Sequence, residues 1–173
     1  MIIFSKNHRI KLNTTYMKLL REMMNRPVSE IMTKKLITVL PTDSLKMVKD
    51  IFDNHIIHHI PVVRYRDCVG IISKTDFYKA IHDSRFENPK KAQSENEKLY
   101  ENFKSEDLMT KKLVKIGPDD KIGTAVELFL ENYFHALPII TEEGDIVGIV
   151  SSYDILKMFF HEAYPDQELK KIV

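Results

Sequence analysis

Apolar residues recur along the chain in blocks, some spaced by three and four, others in short β-branched runs. Met17, Leu20 and Met24 stand at helical spacing and predict a lead-in helix over 16–24; upstream, Ile2-Ile3-Phe4 reads as a short strand, and Met17 is an alternative start. Val28, Ile31 and Met32 form one apolar side of a lead-in to the body. Leu36-Ile37-Thr38-Val39 reads as a strand, which Pro41-Thr42-Asp43 breaks before capping the next helix. Leu45, Val48, Ile51 and Phe52 recur at three and four, predicting an amphipathic helix that ends near His55. Ile60-Pro61-Val62-Val63 and Cys68-Val69-Gly70-Ile71-Ile72 flank a charged turn and predict a hairpin. Pro61 restricts its strand to an edge or a strand start. From Thr75 a second helix carries Phe77 and Ile81 on one face. The order is strand, helix, strand, strand, helix.

The same order then returns. Met32-Thr33-Lys34-Lys35-Leu36 reappears as Met109-Thr110-Lys111-Lys112-Leu113, and Pro41, Asp43, His58 and Pro61 reappear as Pro118, Asp120, His135 and Pro138. Gly70, Ser73 and Asp76 return as Gly148, Ser151 and Asp154, with one extra residue in the hairpin loop of the second copy. Loops absorb insertions at least cost. The division is an N-terminal extension (1–27), a first repeat (28–82), a charged linker (83–104), a second repeat (105–161) and a polar tail (162–173). The linker's Phe86, Leu99, Tyr100 and Phe103 are the residues able to tack it to the body. A half of this size is marginal alone and must pack on its twin.

Composition narrows the classes. The chain has 173 residues, 43% of them hydrophobic, and a formal net charge of +1, which provides no global field for nucleic acid or membrane. No basic stripe or aromatic platform suggests nucleic-acid binding. Apolar runs fall short of the ~18–20 residues of a membrane span, and residues 1–12 lack a signal-peptide core, so a cytoplasmic location is expected. Cys68 is alone, which leaves no disulfide framework; it reads as a small buried hydrophobe. His55, His58 and His59 lack the carboxylate or cysteine spacing of a metal site, and none is expected. No nucleophile elbow or paired-carboxylate constellation appears, so the chain is expected not to be an enzyme.

The chemistry gathers at Gly70-Ile71-Ile72-Ser73-Lys74-Thr75-Asp76 and its copy, Gly148-Ile149-Val150-Ser151-Ser152-Tyr153-Asp154. Each reads as a buried strand passing directly into a helix, a junction whose free N–H groups and dipole suit an anion. A carboxylate there has two acceptor oxygens and can take two neighbouring donors. The same Ser-x-x-Asp spacing also makes a capping box that needs no ligand, and both readings stand at this point.

These motifs, in this order and twice over, resemble a tandem pair of CBS domains (cystathionine-β-synthase type), over residues 28–82 and 105–161. The resemblance implies an α+β fold, two βαββα repeats packed sheet to sheet with pseudo-two-fold symmetry, here with the N-terminal lead-in helix added. It implies two clefts between the repeats for adenosine-containing ligands: AMP, ADP or ATP first, S-adenosylmethionine or NAD as further members, with no resident cofactor. It also implies a homodimer and a regulated partner protein. Asp76 and Asp154 then become ribose ligands. Ser73, Ser151 and Lys74 are candidates for phosphate or ribose; Ser152 replaces Lys74 in the second copy, so the clefts should differ in phosphate affinity. In nucleotide-sensing kinase subunits of this family a basic residue at the place of His58 and His135 approaches phosphate, and such a contact would tighten as pH falls through ~6.5. Ile60 and Leu137, with Leu45 and Ile122, are candidate walls for the adenine ring and equally plain core residues. Leu40 and Gly117 stand where the family often has Thr or Ser holding base or sugar, which removes one polar contact from each cleft. The alternative reading is a dimerisation or interaction module whose clefts are empty.

Overall fold

The computed structural model describes residues 14–82, 100–131 and 134–165. The strand expected at 2–4, linker residues 83–99 and the tail from 166 lie outside the described residues. The described elements are α1 (Thr14–Met24), a 3-10 turn (Val28–Glu30), α2 (Leu45–Asn54), β1 (His59–Arg64), β2 (Asp67–Ser73) and α3 (Lys74–His82). They continue with α4 (Ser105–Leu108), α5 (Ile122–Leu130), β3 (Ala136–Ile140), β4 (Ile146–Ser151) and α6 (Ser152–Ala163). The architecture is α+β: two antiparallel two-stranded sheets, β1–β2 and β3–β4, each backed by helices.

The expected first strand of each repeat is corrected to a single residue. Val39 bridges β1 in parallel, its N–H donating to Pro61 O (3.1 Å) and its carbonyl accepting from Val63 N (2.8 Å). Extending that ladder would need an N–H from residue 61 on one side and from residue 41 on the other, and both are prolines, which have none. Ile116 repeats the arrangement against β3, hemmed by Pro118 and Pro138.

The helices follow the apolar spacing. Along α2, Leu45, Val48 and Phe52 are buried, and the Ser44 hydroxyl accepts the Met47 amide at its start. They join Ile60, Val62, Ile72, Phe77 and Ile81 in one core, each large side chain contributing about 1.5–3 kcal/mol by burial. Tyr100 stacks on Phe77 with ring centroids 6.2 Å apart, which ties the end of the linker to this core.

The lead-ins cross over. Val28 is fully buried in the second repeat's core with Ile122, Leu137, Ile139 and Val150, and Ile31, Met32 and α1 pack on the same cluster. Leu108 and Met109, from the second repeat, pack on the first core. The backbone records the exchange. Val28 N and Ser29 N donate to Asp120 O and Pro118 O; Ser105 N and Glu106 N donate to Asp43 O and Pro41 O. Thr33 and Ile149 exchange both backbone hydrogen bonds, and so do Thr110 and Ile71. Two glycines make room: a Cβ on Gly70 would lie 2.3 Å from Met109 Sδ, and one on Gly148 would lie 2.4 Å from Met32 Sδ. The hairpin tips also meet, with Asp67 bridging Asp145 and Arg66 paired to Asp145 at 2.6 Å. The two repeats thus face each other across an approximate two-fold, each completed by the other's lead-in.

Candidate functional site

The crossing opens a cleft of about 420 Å³ between the start of α3 and the Thr110–Val114 segment of the second repeat. That volume lies within the ~300–1,000 Å³ of small-ligand pockets. On one wall stand Ser73, Thr75, Asp76 and Lys79; on the other, Thr110 and Lys112. His58, His59 and His135 converge on it, and its apolar lining includes Ile71, Leu113, Val114, Phe134 and Pro138.

Local structure sets each polar group. β2 ends at Ser73 and α3 begins at once, so the Ser73 hydroxyl accepts the Asp76 amide (3.0 Å) and donates to Asp76 Oδ2 (2.7 Å). Asp76 Oδ1 takes no hydrogen bond among the described residues, and the side chain is exposed. The capping and ligand readings are therefore compatible: one oxygen serves the helix start, and the other takes no hydrogen bond among the described residues. His58 is held by its carbonyl, which accepts the Lys74 amide (2.8 Å). Burial holds the His59 imidazole down at a pKa of about 4, with the nearby His58 and His135 acting in the same direction and Asp76 opposing them. Among the described residues, no group of three or more His, Cys, Asp or Glu is placed to hold a metal ion.

The sequence candidates divide. Ser73, Asp76, His58 and His135 come together in this cleft. Lys74 does not: its amine donates to Phe52 O (2.8 Å) and lies 5.8 Å over the Phe52 ring, completing the last turn of α2 instead of pointing to a ligand. Ile60 and Leu137 are fully buried, Ile122 likewise and Leu45 nearly so. Strand alternation explains Ile60 and Leu137, because His59, Ala136 and Pro138 line the cleft and their neighbours face the cores, while Leu45 and Ile122 lie on the buried faces of α2 and α5. Leu40 is 52% exposed, lies outside the cleft lining, and spends its N–H on Asp43 Oδ2 (2.7 Å).

Ser151 and Asp154 make the matching junction with different neighbours. The Ser151 amide and hydroxyl both donate to Asp154 Oδ2 (2.7 and 2.6 Å), and the Thr33 hydroxyl lies 3.4 Å from Oδ1. Asp154 borders a separate hollow of about 430 Å³ with Lys157, Arg26, Glu30 and Glu162. Arg26 pairs there with Glu30 at 2.6 Å and also with Glu162, tying the lead-in to α6.

Sequence reasoning passed over Lys79, Thr110 and Lys112, and weighed His59 only as a metal ligand. One signal was present: Lys79 and Lys157 stand at the same place in the two copies, three residues after each aspartate. Thr110 and Lys112 belong to the duplicated Met-Thr-Lys-Lys-Leu run, which served only to mark the repeat.

A duplicated α+β unit with a cleft between its copies defines a tandem-repeat module. The chain belongs to the CBS domain family, whose model matches residues 28–83 and 105–161. It is similar to protein MJ1225 of Methanocaldococcus jannaschii, at 29% identity over 136 residues, 78% of this chain and 48% of that protein. The MJ1225 structure, described as a putative archaeal homolog of g-AMPK, superposes with a TM-score of 0.66 at 28% identity over 84% of this chain and 52% of that one. Two further structures share the fold. The CBS domain pair of MJ0100, solved with 5-methylthioadenosine and S-adenosyl-L-methionine, gives 0.64 at 23% identity, over 79% and 97% of the two chains. CBSX2 of Arabidopsis thaliana, solved with AMP, gives 0.65 at 22% identity, over 80% and 98%. The chain spans half or less of the length of the curated relatives it matches first. No helix among the described residues is long and apolar enough to cross a membrane.

Proposed function

We propose that this module is a regulatory sensor that holds an adenosine-containing ligand, an adenine nucleotide first of all, in the cleft at Asp76. The observation that carries the reading is the Asp76 carboxylate, on a residue lining the cleft, with Oδ2 engaged by Ser73 and Oδ1 without a hydrogen bond among the described residues. An ionised carboxylate accepts ribose hydroxyls, and the apolar lining suits a base. That AMP, 5-methylthioadenosine and S-adenosyl-L-methionine occupy structures of the same fold supports it. The ligand would touch α3 of one repeat and the crossing segment of the other. It shifts the arrangement of repeats only as far as it prefers one arrangement over another, and a partner protein reads that shift.

Thermal unfolding with AMP, ADP, ATP, S-adenosylmethionine and NAD tests this. One ligand at a hundred times its Kd stabilises by ~2.7 kcal/mol, several degrees in Tm. Failure of all five to move Tm contradicts the reading.

A second reading, a homodimerising interaction module with an empty cleft, is favoured by side chains left in solvent: Tyr153 and Leu156, 63% and 66% exposed, stand one turn apart on α6. Unchanged Tm with every ligand, and a dimer that Leu156→Glu dissociates while Asp76→Ala leaves it intact, decides for that module.

A further inference from the structure

The two hollows differ in the sign of their charge. The cleft at Asp76 brings two lysines, Lys79 and Lys112, against one carboxylate, with three histidines beside them. Neither lysine is paired to a carboxylate among the described residues. The hollow at Asp154 brings three carboxylates, Asp154, Glu30 and Glu162, against Arg26 and Lys157, with His161 beside them, and Arg26 is already spent on two of the carboxylates. An unpaired cation inside a concave site raises the local concentration of anions and strengthens any charge-assisted hydrogen bond it makes. The same field repels a sulfonium and gives an uncharged nucleoside nothing.

We infer that Lys79 and Lys112 form the phosphate-holding end of the cleft, so that the site selects phosphorylated nucleosides over nucleosides, thioethers and S-adenosylmethionine. This rests on the nucleotide reading of the cleft and makes it narrower. Lys79 stands one turn beyond Asp76 on α3, on the same helix face, so an amine lies near the carboxylate that would hold a ribose, within reach of a phosphate on that sugar. Lys112 reaches in from the second repeat. A phosphate shared by the two amines would join the repeats, which ties ligand charge to repeat arrangement.

The test is calorimetric titration of the full chain and of Lys79→Ala, Lys112→Ala and Lys157→Ala with adenosine, S-adenosylmethionine, AMP, ATP, GMP and inorganic pyrophosphate. Both cleft lysines are exposed, so their removal leaves the cores intact. The expected result is AMP and ATP binding at least about tenfold tighter than adenosine or S-adenosylmethionine, a step of ~1.4 kcal/mol. Lys79→Ala and Lys112→Ala each lose about tenfold toward AMP and nothing toward adenosine, and Lys157→Ala binds as the wild type does. Adenosine or S-adenosylmethionine binding as tightly as AMP, or AMP affinity indifferent to both lysines, overturns the inference with the nucleotide cleft still standing. Lysine-dependent binding of GMP or pyrophosphate with no adenosyl compound bound overturns the adenine reading and upholds the phosphate end. Binding of none of the six overturns both.

Discussion

Asp76 and Asp154 hold the same place in two copies of one motif, yet among the described residues only Asp76 keeps an oxygen without a hydrogen bond. Both begin a helix directly after a strand, and both take a serine hydroxyl on Oδ2. Asp154 also takes the Ser151 amide, with the Thr33 hydroxyl at its other oxygen and a partly buried side chain. Asp76 lines a cleft with Lys79 and Lys112, neither of them paired to a carboxylate among the described residues. The lesson is that a repeated motif specifies a backbone junction. The chemistry of that junction is set by the segment that crosses over from the other repeat.

The sharpest way to break the comparison is to remove each carboxylate in turn. Asp76→Ala is expected to weaken AMP binding by roughly ten- to a thousandfold, since hydrogen bonds to a charged acceptor contribute ~1.5–3 kcal/mol each. Asp154→Ala is expected to leave it within about twofold, as read by titration. Equal losses would mean that the two carboxylates serve the ligand alike.

The next effect concerns His59, whose counterpart is Ala136. Its folded pKa of about 4 lies below the unfolded ~6.5. The neutral imidazole therefore contributes stability that is complete above pH ~6.5 and is lost as pH falls toward 4, where the unfolded chain binds the extra proton. The loss reaches about 3 kcal/mol, on the order of 1.4 kcal/mol for each pH unit between the two values. Urea midpoints measured across that window should fall for the wild type and flatten for His59→Gln.

Gly70 and Gly148 test whether the crossing itself is shared equally. A methyl on either meets a methionine side chain of the other repeat well inside van der Waals contact. Gly70→Ala and Gly148→Ala are each expected to cost about 1–3 kcal/mol of overpacking, measurable as a lower unfolding midpoint. Trimming the opposing side chain, with Met109→Ala or Met32→Ala, should recover part of the loss.

The smallest expected effect is at Thr33, where a hydrogen bond can be removed with the charges left in place. Thr33→Val removes a long, exposed hydrogen bond and should change stability by less than ~0.5 kcal/mol. Because it frees Asp154 Oδ1 without supplying cations, AMP stoichiometry should not rise.

Much of this was legible in the residues. The duplication, the α2 helix with its apolar face, the hairpins and the strand-to-helix turns follow from spacing, and spacing is a local property. The features that escaped were non-local. Leu36–Val39 has strand chemistry, but its ladder fails at prolines on the partner side as well as its own. Val28, Ile31 and Met32 show an apolar side without saying which core it faces, and it faces the second. Ile60 and Leu137 have the character of an adenine wall, but pleat parity turns them inward. Lys74 stands beside the site in sequence and is drawn off by the carbonyl ending α2, whereas Lys79, five residues on, lines the cleft.

The most direct test of the central claim is the stoichiometry of AMP binding by calorimetry on the intact chain. We predict one AMP per chain, weakened at least about tenfold in Asp76→Ala and retained in Asp154→Ala. Two per chain, or binding that Asp154→Ala abolishes and Asp76→Ala does not, would contradict it.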